Sequence, residues 1–178
     1  MRKLKTYELN RTDVKTYKQQ EKVPVIVILD NVRSMHNVGS VFRTADAFLV
    51  EELILCGITP VPPHREINKT ALGATESVDW KYDKNINTVI VELKDRGYTI
   101  IGIEQTDETV LLDDFQVESG KKYAIVLGNE VEGISDEVID ELNLCLEIPQ
   151  FGTKHSLNVS VAAGIIIYQL ASQLLGKK

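Results

Sequence analysis

VPVIVIL (23–29) runs apolar through seven successive positions. A strand with one face in water alternates apolar and polar residues. This run has no wet face, and it suits a parallel sheet covered on both sides. ELILCG (52–57), YTIIGIE (98–104), YAIVLG (123–128) and LCLEIP (144–149) follow the same pattern. Between them lie segments with helical spacing, near 38–48, 64–74, 85–96, 134–142 and 157–175. Strand and helix in alternation predict an α/β fold: a mostly parallel sheet with helices on both faces. No internal repeat or long linker interrupts the pattern, and Pro60, Pro62 and Pro63 mark a loop.

A chain of 178 residues is long enough for one domain with a sizeable core. We place that domain at 23–178, behind a basic extension at 1–22. Residues 1 to 20 carry six Lys or Arg against Glu8 and Asp13, a balance of +4; the whole chain stands at −6, so the remainder is at −10. An acidic body argues against indiscriminate nucleic-acid binding, whereas a basic arm can meet phosphates locally. No apolar stretch reads as the 18 or so residues that span a bilayer. The longest, near 159–175, is interrupted by Ser160, Tyr168, Gln169, Ser172 and Gln173. MRKLKTYELNR has no apolar core behind its charges, unlike a signal peptide. Cys56 and Cys145 lie far apart in strand-like contexts and read as small buried hydrophobes. The expectation is a reduced, cytoplasmic protein with no membrane segment. His36, His64 and His155 are scattered, so no metal site is expected.

In open α/β sheets, ligands bind outside the carboxyl ends of the strands. That rule selects three stretches, each following an apolar run. RSMHNVGSVFR (33–43) supplies Arg33, His36, Asn37 and Arg43. Asn37 and Ser40 are competent helix caps, but Arg43 sits among Val41, Phe42, Ala45, Ala47 and Phe48, where a surface charge is harder to explain. GNEVEGISDE (128–137) places Gly128 at a strand end and Gly133 before a helix, with Ser135 as a cap. It lacks both G-x-G-x-x-G and the Lys-Ser/Thr of a phosphate loop, and Glu130 and Glu132 would repel phosphate and tolerate a cation. PQFGTKHSLNVSVAAG (149–164) offers Ser156 and Asn158, where one cap would suffice. Ala162, Ala163 and Gly164 permit tight helix packing. No Ser-His-Asp or Cys-His arrangement presents itself. The residues alone give a ligand-binding α/β domain with a mixed Arg/Glu/Asn/Ser site.

Together the three stretches resemble the motifs of the SpoU (TrmH-like) family, knotted SPOUT methyltransferases that act on RNA ribose 2′-hydroxyls. HNVGSVFRTADAF is similar to the first motif, IVLGNEVEGIS to the second and IPQFGTKHSLNVSVAAG to the third, in order and over about 23 to 175. KTALGATESV (69–78) resembles a family segment on the RNA-facing side. The resemblance implies a C-terminal deep trefoil knot, bound S-adenosylmethionine and an obligate homodimer with active sites near the interface. It puts Leu127, Gly128, Asn129, Gly133, Ile148, Pro149, Gln150 and Leu157 at the cofactor, and Asn37, Arg43, Glu130, Ser156 and Asn158 at the chemistry. The family's first-motif Arg is assigned the role of base. Arginine stays protonated in proteins, so Arg43 is better cast as binding a phosphate and polarising the hydroxyl, with Glu130 and Asn158 orienting it and the ribose. The implied substrate is tRNA ahead of rRNA.

This sequence departs from the pattern at Val131, where the family often has a small residue, and at Gln150, where it has Met. Two alternatives stand beside an RNA ribose methyltransferase. One is a catalytically inactive dimer that binds S-adenosylmethionine and RNA as a scaffold; the other is a nicotinamide-dependent dehydrogenase, disfavoured by the missing glycine fingerprint.

Overall fold

The computed structural model describes residues 1–5, 8–9 and 11–176; of the basic extension, Thr6, Tyr7 and Asn10 lie outside the described residues. The order is α1 (Val14–Gln19), β1 (Val23–Asp30), α2 (Met35–Ala47), β2 (Val50–Cys56), α3 (Arg65–Ala71), α4 (Ala74–Ser77), β3 (Trp80–Asp83), α5 (Ile86–Asp95), β4 (Tyr98–Ile103), β5 (Thr109–Leu111), β6 (Lys122–Leu127), α6 (Asp136–Ile139), β7 (Leu144–Glu147) and α7 (Val159–Gly176). The seven strands form one sheet in the order β3-β2-β1-β6-β4-β7-β5, and every neighbouring pair is parallel.

The continuous apolar runs have the cause expected of them. Within β1, Val25, Val27 and Leu29 face a core shared with α2, α3 and α7, while Ile26 and Ile28 face a second core shared with α5 and α6. Each fully buried side chain of this kind contributes roughly 1.5–3 kcal/mol over its exposed state. Helices therefore cover both faces of the sheet.

Several boundaries differ from the sequence expectation, each for a local reason. α2 begins at Met35 because Ser34 caps it, its side chain accepting from the Asn37 N–H at 3.3 Å; neither Asn37 nor Ser40 is the cap. The expected helix at 64–74 ends where Leu72 and Gly73 turn left-handed, with φ of 49° and 92°. The expected helix at 134–142 shortens to Asp136–Ile139. Strands β3 and β5 were not anticipated: both are sheet edges and neither carries a buried residue, so no apolar run marks them. Helix α1, also unanticipated, seats Tyr17 in the core beneath α2, and Lys22 lies 3.3 Å over its ring.

Helix α7 also corrects an expectation. Its 18 residues average a hydropathy of 1.6, long and apolar enough to cross a membrane by length and composition. Val159, Ala162, Ala163, Ile166, Ile167, Leu170 and Ala171 instead pack into the core. Its other side leaves Val161, Ile165, Tyr168 and Leu175 exposed. Both cysteines are buried and unpaired.

From β1 the chain builds outward to β2 and β3, then returns to build β4 and β6 on the other side. The direction of winding reverses between β1 and β6, which is where a crevice opens in such sheets.

Candidate active site

Three chain segments meet at the carboxyl ends of β1, β6 and β7. Glu130, just after β6, accepts the backbone N–H groups of Arg33 at 2.9 Å and Ser34 at 3.0 Å, and the Asn37 amide at 3.0 Å. The Arg33 and Ser34 groups belong to the entrance of α2, where N–H groups lack intrahelical partners. Asn37 is buried, and its carbonyl accepts the Asn158 amide at 3.1 Å. Asn158 also opens α7: its Oδ1 accepts from the Ser160 N–H at 2.9 Å and hydroxyl at 2.6 Å, and its backbone carbonyl from Val161 and Ala162. One side chain thus caps a helix and closes the site, so the capping and functional readings of Asn158 both hold.

Partial desolvation pushes the Glu130 carboxyl up, but hydrogen bonds from Arg33, Ser34 and Asn37 outweigh it and leave it below the ordinary carboxylate value. Glu130 is therefore an anion at neutral pH, with each oxygen already accepting.

Beside this network lies a cavity of about 610 Å³. Leu127, Gly128, Asn129 and Gly133 wall it from one loop; Ile148, Gln150 and Leu157 wall it from the other, with Glu130, Ser156, Asn158 and His155 at its edge. Pro149 is not among its walls. Asn129 serves the loop itself: its amide donates to the Asn31 carbonyl at 2.8 Å and its Oδ1 accepts from Val131 at 2.8 Å. Its backbone exchanges two 3.0 Å hydrogen bonds with Gly133. A methyl group on Gly128 would overlap the Gly133 backbone, so only glycine lets the loop cross itself here.

Sequence reasoning missed Glu104, Gln105 and Glu147, which complete the walls from the ends of β4 and β7. Glu104 accepts the Ile134 N–H at 3.1 Å, and Glu147 accepts the Gln105 amide at 3.0 Å and the Thr109 hydroxyl at 3.2 Å. The strand-end rule, applied to YTIIGIE as well, would have found Glu104 and Gln105, whereas Glu147 lies inside LCLEIP, a run read as strand. Among the described residues no group of His, Cys, Asp or Glu could hold a metal ion.

Arg43 stands apart. Its side chain is exposed on α2 and makes no hydrogen bond or ion pair with a described residue. Within this chain neither Glu130 nor Asn158 hydrogen-bonds Arg43; both are committed to Asn37 and to helix starts. His36 pairs with Glu66 at 2.7 Å, tying α2 to α3.

With this geometry in place, the comparisons fall on the same segments. The SpoU rRNA Methylase family model matches residues 24–168. The chain belongs to this family. It is 35% identical over 157 residues to a Staphylococcus aureus protein named for the TrmH family of tRNA/rRNA methyltransferases; the match takes in 88% of this chain and 62% of that protein's length. The chain thus spans less than two thirds of that relative. Its fold superposes on an A. aeolicus TrmH/SpoU tRNA modifying enzyme with a TM-score of 0.80 and 30% identity, over 92% of this chain and 81% of the other. An AdoMet-bound rRNA methyltransferase from Sinorhizobium meliloti gives 0.79 and 27%, over 89% and 60%.

For a member of this family, the charge of the cavity is informative. Glu104, Glu130, Glu132, Asp136 and Glu147 line it, and no Lys or Arg does. The field inside favours a cation over an anion.

Proposed function

We propose that this chain transfers a methyl group from S-adenosylmethionine to a ribose 2′-hydroxyl of RNA, tRNA ahead of rRNA. One observation carries the reading: a cavity at the strand ends, walled by carboxylates and a glycine crossing, opens beside the Asn37–Glu130–Asn158 network. The AdoMet-bound relative supports the cofactor. S-adenosylmethionine fits the cavity, since its sulfonium is cationic and Gly128 keeps the crossing of the loop free of side chains. Leu127, Gly128, Ile148, Gln150 and Leu157 would hold it, with Gly133 and Asn129 shaping the loop. When bound it supplies an electrophilic methyl group.

The chain's own residues do the rest. Glu130 and Asn158 fix the Asn37 amide from both sides, so the rim of the cavity is set before RNA arrives. Positioning of this kind supplies a large part of a barrier reduction. Ser156, exposed at the edge with its hydroxyl uncommitted, orients the ribose. Arg43, a permanent cation with free donors, binds the neighbouring phosphate and polarises the hydroxyl.

We propose further that two copies pair through the exposed apolar side of α7, where Val161, Ile165 and Tyr168 face solvent. Pairing there would bring Arg43 of one copy toward the cavity of the other, in keeping with an arginine side chain that has no partner among the described residues. A trefoil knot in residues 123–175, the boundary at residue 23 and a cytoplasmic place of action beside tRNA and ribosomes belong to the same proposal.

Calorimetric titration of S-adenosylmethionine against NAD tests the cofactor; binding of NAD alone would reject the reading. Ribose-methylation mapping of cellular RNA with and without the gene tests the reaction. Loss of one or a few methylated riboses is the expected outcome, and an unchanged map would overturn it.

A further inference from the structure

A second cavity, of about 540 Å³, adjoins the first along the 129–136 loop, and Asn129, Glu132, Gly133, Ile134 and Asp136 line both. Asp30, at the end of β1, opens into it although the residue is only 4% exposed. Its Oδ1 accepts the Asn31 amide at 3.0 Å, while its Oδ2 accepts from no described residue. Burial raises this carboxyl above the ordinary value, and no cation is paired with it. Among the described residues no solvent-sealed side-chain oxygen lacks a partner, so this Oδ2 is open to the cavity and can accept from whatever enters it. Arg33 lines the same cavity; its backbone is pinned by Glu130 while its exposed guanidinium has no partner among the described residues. Ser135 also lines it, at the N-cap position of α6 yet with no capping bond. The cavity therefore offers an acceptor-only carboxylate at depth, an uncommitted hydroxyl, two further carboxylates, Glu132 and Asp136, and one guanidinium, Arg33, so it favours a group rich in N–H donors and leaves Arg33 as the one cation for a phosphate.

Resting on the RNA-substrate reading above, we infer that this second cavity receives an unpaired base of the bound RNA: Asp30 accepts from N–H donors on the base edge, and Arg33 meets its phosphate or face. Single-stranded RNA is read through splayed bases on their donor and acceptor edges, with arginine planes among the stacking partners. A carboxylate only accepts hydrogen bonds. It favours a base with adjacent donors, and guanine, with N1–H beside its 2-amino group, offers two on one edge. Uracil offers one donor between two carbonyls, which the carboxylate repels. Neither Asp30 nor Arg33 has a part in the methyl-transfer roles assigned above.

The test titrates ¹⁵N-labelled protein with guanosine, inosine and uridine 5′-monophosphates, and the same samples with S-adenosylmethionine. The expected result is that the guanosine nucleotide shifts the amides of Asn31, Arg33 and Ser135. It should bind about tenfold more tightly than the inosine nucleotide, which lacks the 2-amino group, and uridine should bind most weakly. Asp30→Asn should erase the guanosine–inosine difference, and Arg33→Ala should weaken all three alike. Equal binding of the three, or shifts confined to the first cavity, overturns the inference. Should Asp30→Asn fail to fold, the wild-type comparison still decides. Shifts with S-adenosylmethionine but none with nucleotide sink the base pocket alone, whereas no shift with S-adenosylmethionine sinks the methyl-transfer reading.

Discussion

The two loops that wall the first cavity are built in opposite ways. The loop from Gly128 to Ile134 is bound to itself and to its neighbours: Asn129 and Gly133 pair through their backbones, Glu104 holds Ile134, and Asn129 holds Asn31. The loop from Pro149 to Leu157 makes no hydrogen bond with a described residue, and from Phe151 onward it is exposed throughout. One wall is fixed and the other is free to adapt. Low local stability of this kind is typical of segments that close over ligands. A cofactor entering the cavity would meet a rigid surface on one side and order a soft one on the other.

The two glycines that mark these loops offer the sharpest way to break the comparison. Gly128→Ala should be the most damaging change, because its methyl group meets the Gly133 backbone. Overpacking of this sort costs about 1–3 kcal/mol, read in a denaturant melt, and S-adenosylmethionine binding should vanish in the calorimeter. Arg43→Ala should come next. The expected loss is about a hundredfold or more in methylation, in line with removal of a single charge-stabilising donor. Cofactor affinity and melting temperature should stay unchanged, since Arg43 is exposed and unpaired; retained activity would remove it from the site.

Glu130 supplies a pH-dependent test of the rigid wall. Its folded carboxyl lies below its ordinary value of 4.5, so its contribution is present above about that pH and is lost as pH falls through the folded value. Melts of the protein and of Glu130→Gln should therefore differ at pH 7 and converge in acid. A constant difference across that range would deny the carboxylate its role. The smallest effect belongs to Gly152→Ala in the open loop. Nothing stands within 4 Å of the added methyl group, and stability should move by no more than about 0.5 kcal/mol.

The same contrast explains what could be read from the sequence. The five central strands were legible because burial on both faces leaves continuous apolar runs such as VPVIVIL. The edge strands Trp80–Asp83 and Thr109–Leu111 were not, because an edge need not be apolar. At the site, the motif residues found one another without their partners being visible. Glu130 holds Arg33 and Ser34 through backbone N–H groups nearly a hundred positions away, and a backbone donor leaves no mark in a sequence. Gly128 was placed at a strand end beside the cofactor; the sequence did not display that the chain's own Gly133 backbone also needs the room a side chain would take. Asn129 was placed at the cofactor; it walls the cavity and also ties its own loop, a second task the sequence did not display. Sequence alone joined Arg43 to Glu130 and Asn158, whereas within one chain the hydrogen bonds of both run to Asn37 and to helix starts.

Asn37 gives the molecule a sense of its own completeness. Its amide donates to Glu130 and its carbonyl accepts from Asn158, so both halves are satisfied only when residues near the start, the middle and the end of the domain have all docked. During synthesis, β1, α2 and β2 leave the ribosome long before α7. Until that last helix is seated, the chain holds most of its sheet and none of its finished rim. A truncated copy ending before Asn158 would keep an unanswered Asn37 carbonyl at the rim of the cavity. The order of chain elongation and the order of site assembly are thereby made one, and incomplete chains have no finished rim beside the cavity.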